Sequence, residues 1–269
     1  MNGRKTLVTG STMGIGREIA LSAARAGSKI VLHGLVEDVA AEQSLLDVRS
    51  IDASAQLITG DLTESLPGGA IRIAESAVEC YPDLDTLVCN AGTFIDQPFL
   101  EMDFATFDRT MRLNVYSQFV LIQYFARRWV QQGIHGRILL IGSINGRLSE
   151  PTHVAYDTSK GAVEAMVRSL CVSLAPHGIR VNGMAPGLFR TTLTAPALMD
   201  PRLNRWMEIH TPNGNVPGPE VCGDVAVFLL SNAASHIHGQ MLLVDGGMSV
   251  WQQPDPPEEW MPNTQSGDV

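Results

Sequence analysis

With 269 residues, 45% hydrophobic and 17% charged, the chain has the size and make-up of one soluble domain, large enough to bury its core without disulfides or a structural metal. Its net charge of −9 argues against a nucleic acid or an anionic membrane as partner, since both demand a basic face. The cysteines Cys80, Cys89, Cys171 and Cys222 form no CxxC pair and have no histidines at metal-ligand spacing, so they read as reduced thiols and no metal site is expected.

The apolar run after Met1-Asn2-Gly3-Arg4-Lys5 is too short for a signal peptide or a membrane span, and a cytoplasmic location is expected. In chain order, short apolar runs then alternate with longer amphipathic ones. Residues 6–9 read as a strand, 14–26 as a helix, 29–33 as a β-branched strand, 36–50 as a helix and 56–59 as a third strand. Helix 71–80 leads to strand 86–90, and 104–132 carries one long helix with a break expected near Arg112. Strand 137–141, helix 155–176 and strand 180–184 follow. Residues 188–219 are rich in Pro, Asn and Thr without a clean period and read as a mobile substrate loop with short helices. Helix 219–231 and strand 241–244 close the pattern. Such alternation predicts an α/β fold with a doubly wound parallel sheet of about seven strands and helices on both faces. One catalytic domain is expected over residues 1–250, followed by a Pro-rich acidic tail over 251–269.

Between the first strand and first helix stands Thr9-Gly10-Ser11-Thr12-Met13-Gly14-Ile15-Gly16. Gly10 lets the chain turn sharply, Gly14 removes the Cβ that would block a pyrophosphate, and Gly16 allows the helix to pack closely on the sheet. The helix start then offers unpaired N–H groups and a positive dipole end to phosphate. A glycine-rich stretch alone also marks a plain tight connection. With a strand before it and a helix after it, at the start of the chain, it points to a dinucleotide.

The spacing is TGxxxGxG rather than GxGxxG, and it resembles that of the short-chain dehydrogenase/reductase family. Matching residues recur along the chain. Gly60-Asp61-Leu62-Thr63 matches the family's adenine-binding acid and its surroundings. Asn90-Ala91-Gly92 matches its NAG motif, with Cys89 in place of the usual preceding Asn, a departure that touches sheet support more than chemistry. Asn114 in Leu113-Asn114-Val115, Ser143 after the fifth strand, and Tyr156-Asp157-Thr158-Ser159-Lys160 match the catalytic positions. Pro186-Gly187, Thr191 and Val244-Asp245-Gly246-Gly247 complete a match over residues 5–249.

The resemblance implies a Rossmann-type fold and an NAD(P)-dependent oxidoreductase interconverting a secondary alcohol and a ketone. It implies Tyr156 as acid/base, Ser143 as hydrogen-bond partner of the substrate oxygen, and Lys160 on the nicotinamide ribose hydroxyls. Asn114 is implied to hold a water linking Lys160 to solvent, and Thr191 with the backbone near Phe189 to reach the carboxamide. The cofactor contacts implied are Gly10, Ser11, Thr12, Met13, Gly14, Ile15, Gly16, His33, Gly34, Asp61, Leu62, Asn90, Ala91, Gly92, Tyr156, Lys160, Pro186, Gly187, Phe189 and Thr191.

Acid–base chemistry gives the pair Tyr156 and Lys160 its meaning. Hydride transfer leaves a proton to be handled at oxygen, and a free tyrosine, with a pKa of about 10, is a poor base near neutrality. Residues four apart share a helix face, so the Lys160 ammonium is expected to stabilise the phenolate and lower that pKa. YxxxK by itself is weak, since a surface Tyr with a solvated Lys gives the same string.

At the end of the second strand, Gly34 and Leu35 occupy the positions where the family often carries an Asp for NAD or an Arg for NADP. No clear cation greets a 2′-phosphate, Glu37 and Asp38 would repel one if turned inward, and NAD is favoured over NADP, with His33 the open point. The substrate wall is expected from 93–97, 145–153 and 188–215. Asn145, Arg147, Glu150, His153 and Arg190 are its polar candidates, with Ser143 and Tyr156 at the reacting oxygen. They suggest a small polar substrate such as a sugar, polyol or hydroxy acid, while Trp206 and Met207 could instead form an apolar lid. The alternatives are an NADPH-dependent 3-oxoacyl-thioester reductase and a non-catalytic dinucleotide-sensing subunit. The filled Tyr and Lys positions count against the latter. Helices 104–132 and 155–176 resemble the family's subunit contact, and a homotetramer or homodimer is expected. The tail reads either as a disordered end or, given Trp251 and Trp260, as a segment that docks on a neighbouring subunit near its active site.

Overall fold

A computed structural model describes residues 1–191 and 194–251; the tail with Trp260, and its expected docking, lies outside the described residues. Seven strands form one sheet: β1 (Lys5–Val8), β2 (Lys29–Gly34), β3 (Gln56–Thr59), β4 (Thr86–Cys89), β5 (Arg137–Ile141), β6 (Arg180–Pro186) and β7 (Met241–Val244). Every pairing is parallel, and the order is β3-β2-β1-β4-β5-β6-β7. The winding direction reverses between β1 and β4, which opens a crevice at their carboxyl ends.

Successive strand residues point to opposite faces, and each face has its own core. Leu7, Val31, Leu87, Ile138 and Leu140 pack under α3 (Gly68–Cys80), α5 (Ser117–Gln132) and α6 (Val154–Leu174), around the buried Phe125 and Trp129. Val8, Ile30, Leu32, Val88 and Leu139 pack under α1 (Gly14–Arg25), α2 (Val39–Arg49) and α9 (Glu220–Leu230). This is the doubly wound α/β arrangement expected from the alternation of elements.

Several boundaries differ from the sequence reading for local reasons. The second helix starts at Val39 because the Asp38 carboxylate caps it, accepting from the Ala41 N–H at 2.9 Å. The third starts at Gly68, where two glycines let the chain press on the preceding turn; a Cβ at Gly69 would meet the Glu64 carbonyl at 2.8 Å. The expected break near Arg112 is a π-helical turn, Arg112–Tyr116, between α4 (Phe104–Met111) and α5. Within the substrate loop lie α7 (Ala195–Met199) and α8 (Pro201–His210). Among the described residues, no helix is long and apolar enough to cross a membrane.

Candidate active site

The glycine turn bridges β1 and α1 at the crevice. Gly10 and Gly14 take φ of 60° and 55°, the left-handed region that a side chain disfavours. Added Cβ atoms test the three glycines separately. At Gly10 it would meet Ala91 Cα at 2.9 Å, and at Gly16 it would collide with the Gly10 carbonyl and the Asn90 amide. Gly16 thus packs the helix against the turn and the NAG segment rather than against the sheet. At Gly14 the space is open. The first turn of α1 begins at Gly14, beside that open space. This cradle fits a pyrophosphate.

The NAG segment is bolted beneath the turn. Asn90 Nδ2 donates to the carbonyls of Thr9 and Gly10 at 2.9 and 2.8 Å, while Thr9 Oγ1 accepts from the Asn90 and Ala91 N–H groups. Across the cleft stand Arg190 and Thr191, and a space of about 510 Å³ between the turn and α7 is lined by Gly14, Arg17, Thr191, Leu198 and Met199. Thr191 is tied to Thr194, whose hydroxyl also donates to the Phe189 carbonyl, and Phe189 is buried. Gly187 has to be glycine, since a Cβ there would meet Asp245 Cβ at 2.7 Å. The Asp61 carboxylate is exposed and accepts from the N–H and hydroxyl of Thr63, and Leu62 is buried in the core.

The catalytic positions converge from three elements. Asn114 sits in the π turn, fully buried, with both amide hydrogens donated. Oδ1 accepts from the Thr93 N–H at 2.8 Å, and Nδ2 donates to the Thr93 carbonyl at 2.9 Å and to Ser159 Oγ at 3.0 Å. Its side chain therefore joins the segment after β4 to α6. Ser143 follows β5 and accepts from the Asn145 N–H at 3.1 Å, which leaves its own O–H to donate. Tyr156 and Lys160 occupy one face of α6. The Lys160 Nζ lies 5.5 Å from the Tyr156 ring centroid and donates to the Ile141 carbonyl at 3.0 Å.

Burial governs the electrostatics of this pair. The Lys160 side chain is only 5% exposed, and desolvation brings its pKa down to about 8. Burial pushes the Tyr156 phenol above its ordinary value; the Ser143 hydrogen bond opposes this and the Asp157 charge adds to it. The lowered phenol expected from the neighbouring ammonium is therefore not found in the free protein. The ammonium is turned to Ile141, and desolvation is the largest influence on the phenol.

Phe94 was not singled out from the sequence, but it packs edge-on against His153 at 4.7 Å and Tyr156 at 5.2 Å between ring centroids. The Glu150 and Asp96 carboxylates stand 3.3 and 4.0 Å from the two His153 nitrogens. Asn145 donates to Asp157 at 3.0 Å. Arg147 is drawn away, forked onto Glu164, and Arg190 donates to the Val216 carbonyl with Glu208 beside it. Trp206 stacks on His210 within α8, and Met207 is buried. Ser159 and Thr93 also went unnoticed, because nothing in a lone Ser or Thr marks it as the partner of a distant Asn.

Comparisons with known proteins agree with this geometry. The family profile described as enoyl-(acyl carrier protein) reductase matches residues 10–249. The L-rhamnose 1-dehydrogenase (NAD(P)(+)) of Sphingomonas sp. (strain SKA58) is 32% identical over 250 residues, covering 93% of this chain and 98% of that protein. The gluconate 5-dehydrogenase of Gluconobacter oxydans (strain 621H) is 33% identical, covering 93% and 96%. The crystal structure of a gluconate 5-dehydrogenase from Burkholderia cenocepacia J2315, in complex with NADP and tartrate, superposes with a TM-score of 0.87 at 31% identity, covering 94% of this chain and 97% of that one.

Proposed function

The chain belongs to the short-chain dehydrogenase/reductase family as an NAD(P)-dependent oxidoreductase acting on CH–OH groups, and from that premise we propose that it oxidises a neutral sugar or polyol with Tyr156 as the acid/base. The observation that carries the mechanism is the convergence of Ser143, Tyr156 and the buried Lys160 at the mouth of the crevice. The nicotinamide dinucleotide, when bound, supplies the hydride acceptor for oxidation and the donor for reduction. The open cradle at Gly14, the first-turn N–H groups of α1, and Thr191 across the cleft would hold it.

Ser143, steadied by the bond it accepts from the Asn145 N–H, donates its O–H to the substrate oxygen and stabilises the charge that develops there. Tyr156 Oη takes the hydroxyl proton in oxidation and returns it in reduction. Lys160 places a cation behind the phenol when the ammonium turns from Ile141 toward the ribose and Tyr156. Asn114 holds the π turn in place, its side chain bonded to Thr93 and Ser159 on the elements that flank it.

Two features beside Gly34, which itself carries neither an acid nor a cation, support NAD over NADP. Leu35 and Val36 beside it are exposed and apolar, and Arg17 is paired with Glu18 and Asp47. A 2′-phosphate there lacks its strongest contact. The choice of a neutral substrate rests on Asp96 and Glu150 around His153, with Arg147 and Arg190 already engaged. Among the described residues around His153, a sugar acid would meet carboxylates, while Arg147 and Arg190 are already paired.

The α5–α6 face carries an apolar groove of about 410 Å³ lined by Phe119, Ile122, Ala126, Val130, Leu170 and Leu174. It pairs with a second copy in a homodimer or homotetramer. Free thiols at all four cysteines suit a cytoplasmic location.

Initial rates with NAD and NADP, over neutral aldoses, polyols, aldonates and 3-oxoacyl thioesters, test the proposal. Oxidation of a neutral sugar or polyol with NAD is expected to give the highest kcat/KM. Activity confined to acyl thioesters with NADPH would replace this reading with the reductase of lipid synthesis.

A further inference from the structure

His33, the last residue but one of β2, lies against the glycine turn and is only 3% exposed. Its ring makes two backbone hydrogen bonds. Nδ1 accepts from the Gly10 N–H at 3.2 Å, and Nε2 lies 3.1 Å from the Gly60 carbonyl. A carbonyl accepts only, so Nε2 carries the hydrogen and Nδ1 carries none. One tautomer of the neutral imidazole satisfies both partners. The backbone of the same residue grips the turn again: its N–H donates to Ser11 Oγ at 3.0 Å, and its carbonyl accepts from the Ser11 N–H at 2.9 Å.

We propose that His33 is a positioning residue for the dinucleotide, which it does not touch: it fixes the glycine turn by holding Gly10 and Gly60 through the two nitrogens of one tautomer. The inference rests on the reading of that turn as the dinucleotide cradle. It removes His33 as a cation for a 2′-phosphate, since the ring faces backbone on both edges. Protonation at Nδ1 would set two donors, the new N–H and the Gly10 N–H, against each other and release the turn. Residues 6–14 of β1 and the turn carry no ionisable side chain, and Asp61 after β3 is the charged group whose field reaches the ring. Burial holds the His33 pKa down to about 4, against the Gly60 bond and Asp61, which raise it. The latch therefore stays closed at neutral pH.

Two amide variants separate the nitrogens. In His33→Asn the Oδ1 stands where Nδ1 stood and still accepts from Gly10; in His33→Gln the amide reaches only the place of Nε2. Full-length protein is titrated with NADH and NADPH by fluorescence, and kcat is measured at saturating dinucleotide. His33→Leu and His33→Gln are expected to raise Kd about tenfold, the cost of one buried N–H left without its acceptor, with kcat within twofold of the parent. His33→Asn is expected to stay within about threefold of the parent in Kd, and to keep its affinity at acid pH where the parent loses it. Should His33→Leu fail to fold, the Asn and Gln variants decide alone. Equal Kd values for Asn and Gln would overturn the proposal, as would a fall in kcat without a change in Kd. If the parent bound neither dinucleotide, the cradle itself would be refuted instead.

Discussion

Replacing Lys160 by methionine is expected to abolish turnover and yet stabilise the fold at neutral pH. The ammonium is buried and donates to the Ile141 carbonyl, which does not restore its lost hydration. A fall in pKa from 10.5 to about 8 disfavours the charged form by about 3 kcal/mol. The unfolded chain keeps the proton up to about 10.5, whereas the folded one releases it near 8. Between those values the folded state binds fewer protons, so wild-type stability climbs with pH, and below 8 the full penalty is present. Methionine keeps the stem and removes the charge, but leaves the Ile141 carbonyl without its donor, a loss of about 1–2 kcal/mol. The net gain at pH 7 is therefore about 1–2 kcal/mol, or roughly 3–5 °C in Tm. It should shrink above pH 8 and reverse near pH 10.5, where only the lost hydrogen bond remains. Thermal unfolding of both proteins without dinucleotide, at fixed concentration from pH 7 to 10.5, reads the difference directly. A variant less stable at pH 7, by an amount that does not change with pH, would refute the argument from burial.

Tyr156→Phe should keep dinucleotide affinity within about twofold while turnover falls by at least about a thousandfold, because the ring still packs on Phe94 and only the proton carrier is gone. Titration alongside steady-state rates checks the split. Gly16→Ala, which drives a methyl into the Gly10 carbonyl and the Asn90 amide, should weaken dinucleotide binding more than tenfold and cost about 1–3 kcal/mol in urea unfolding. Phe119→Glu, on the α5–α6 groove, should lower the assembly by one step in size-exclusion chromatography with light scattering at micromolar protein. Unchanged mass would remove that face as the contact.

The dinucleotide side was largely legible because backbone builds it. A cradle made of N–H groups and close approaches demands glycine at fixed intervals, so Gly10, Gly14 and Gly16 report it through spacing alone. Tyr156 and Lys160 were legible because a helix repeats every 3.6 residues. The disturbance near Arg112 showed as a lapse in that period, but its π geometry did not, since register within a turn depends on what Asn114 grips across the molecule. His33 shows where reading the chain locally fails. Its partners Gly10 and Gly60 stand 23 and 27 residues away, and only the fold turns an apparent phosphate cation into a neutral brace.

The substrate side follows the opposite logic. The proposed wall joins two segments, one carrying Phe94 and Asp96 and the other Asn145, Glu150 and His153, linked where the Gln97 N–H donates to the Thr152 carbonyl at 3.0 Å. None of these side chains has a required spacing, because each reaches the pocket from a loop. Their meaning arises from pairing: Arg147 would have welcomed an anion had Glu164 not claimed it. The proposed specificity thus rests on which charges are already satisfied, and moving one of them should move the substrate. Glu164→Gln should free Arg147 and raise kcat/KM for aldonates relative to neutral sugars by about three- to tenfold. An unchanged ratio between the two substrate classes in that variant would show that Arg147 stands too far from the pocket to matter.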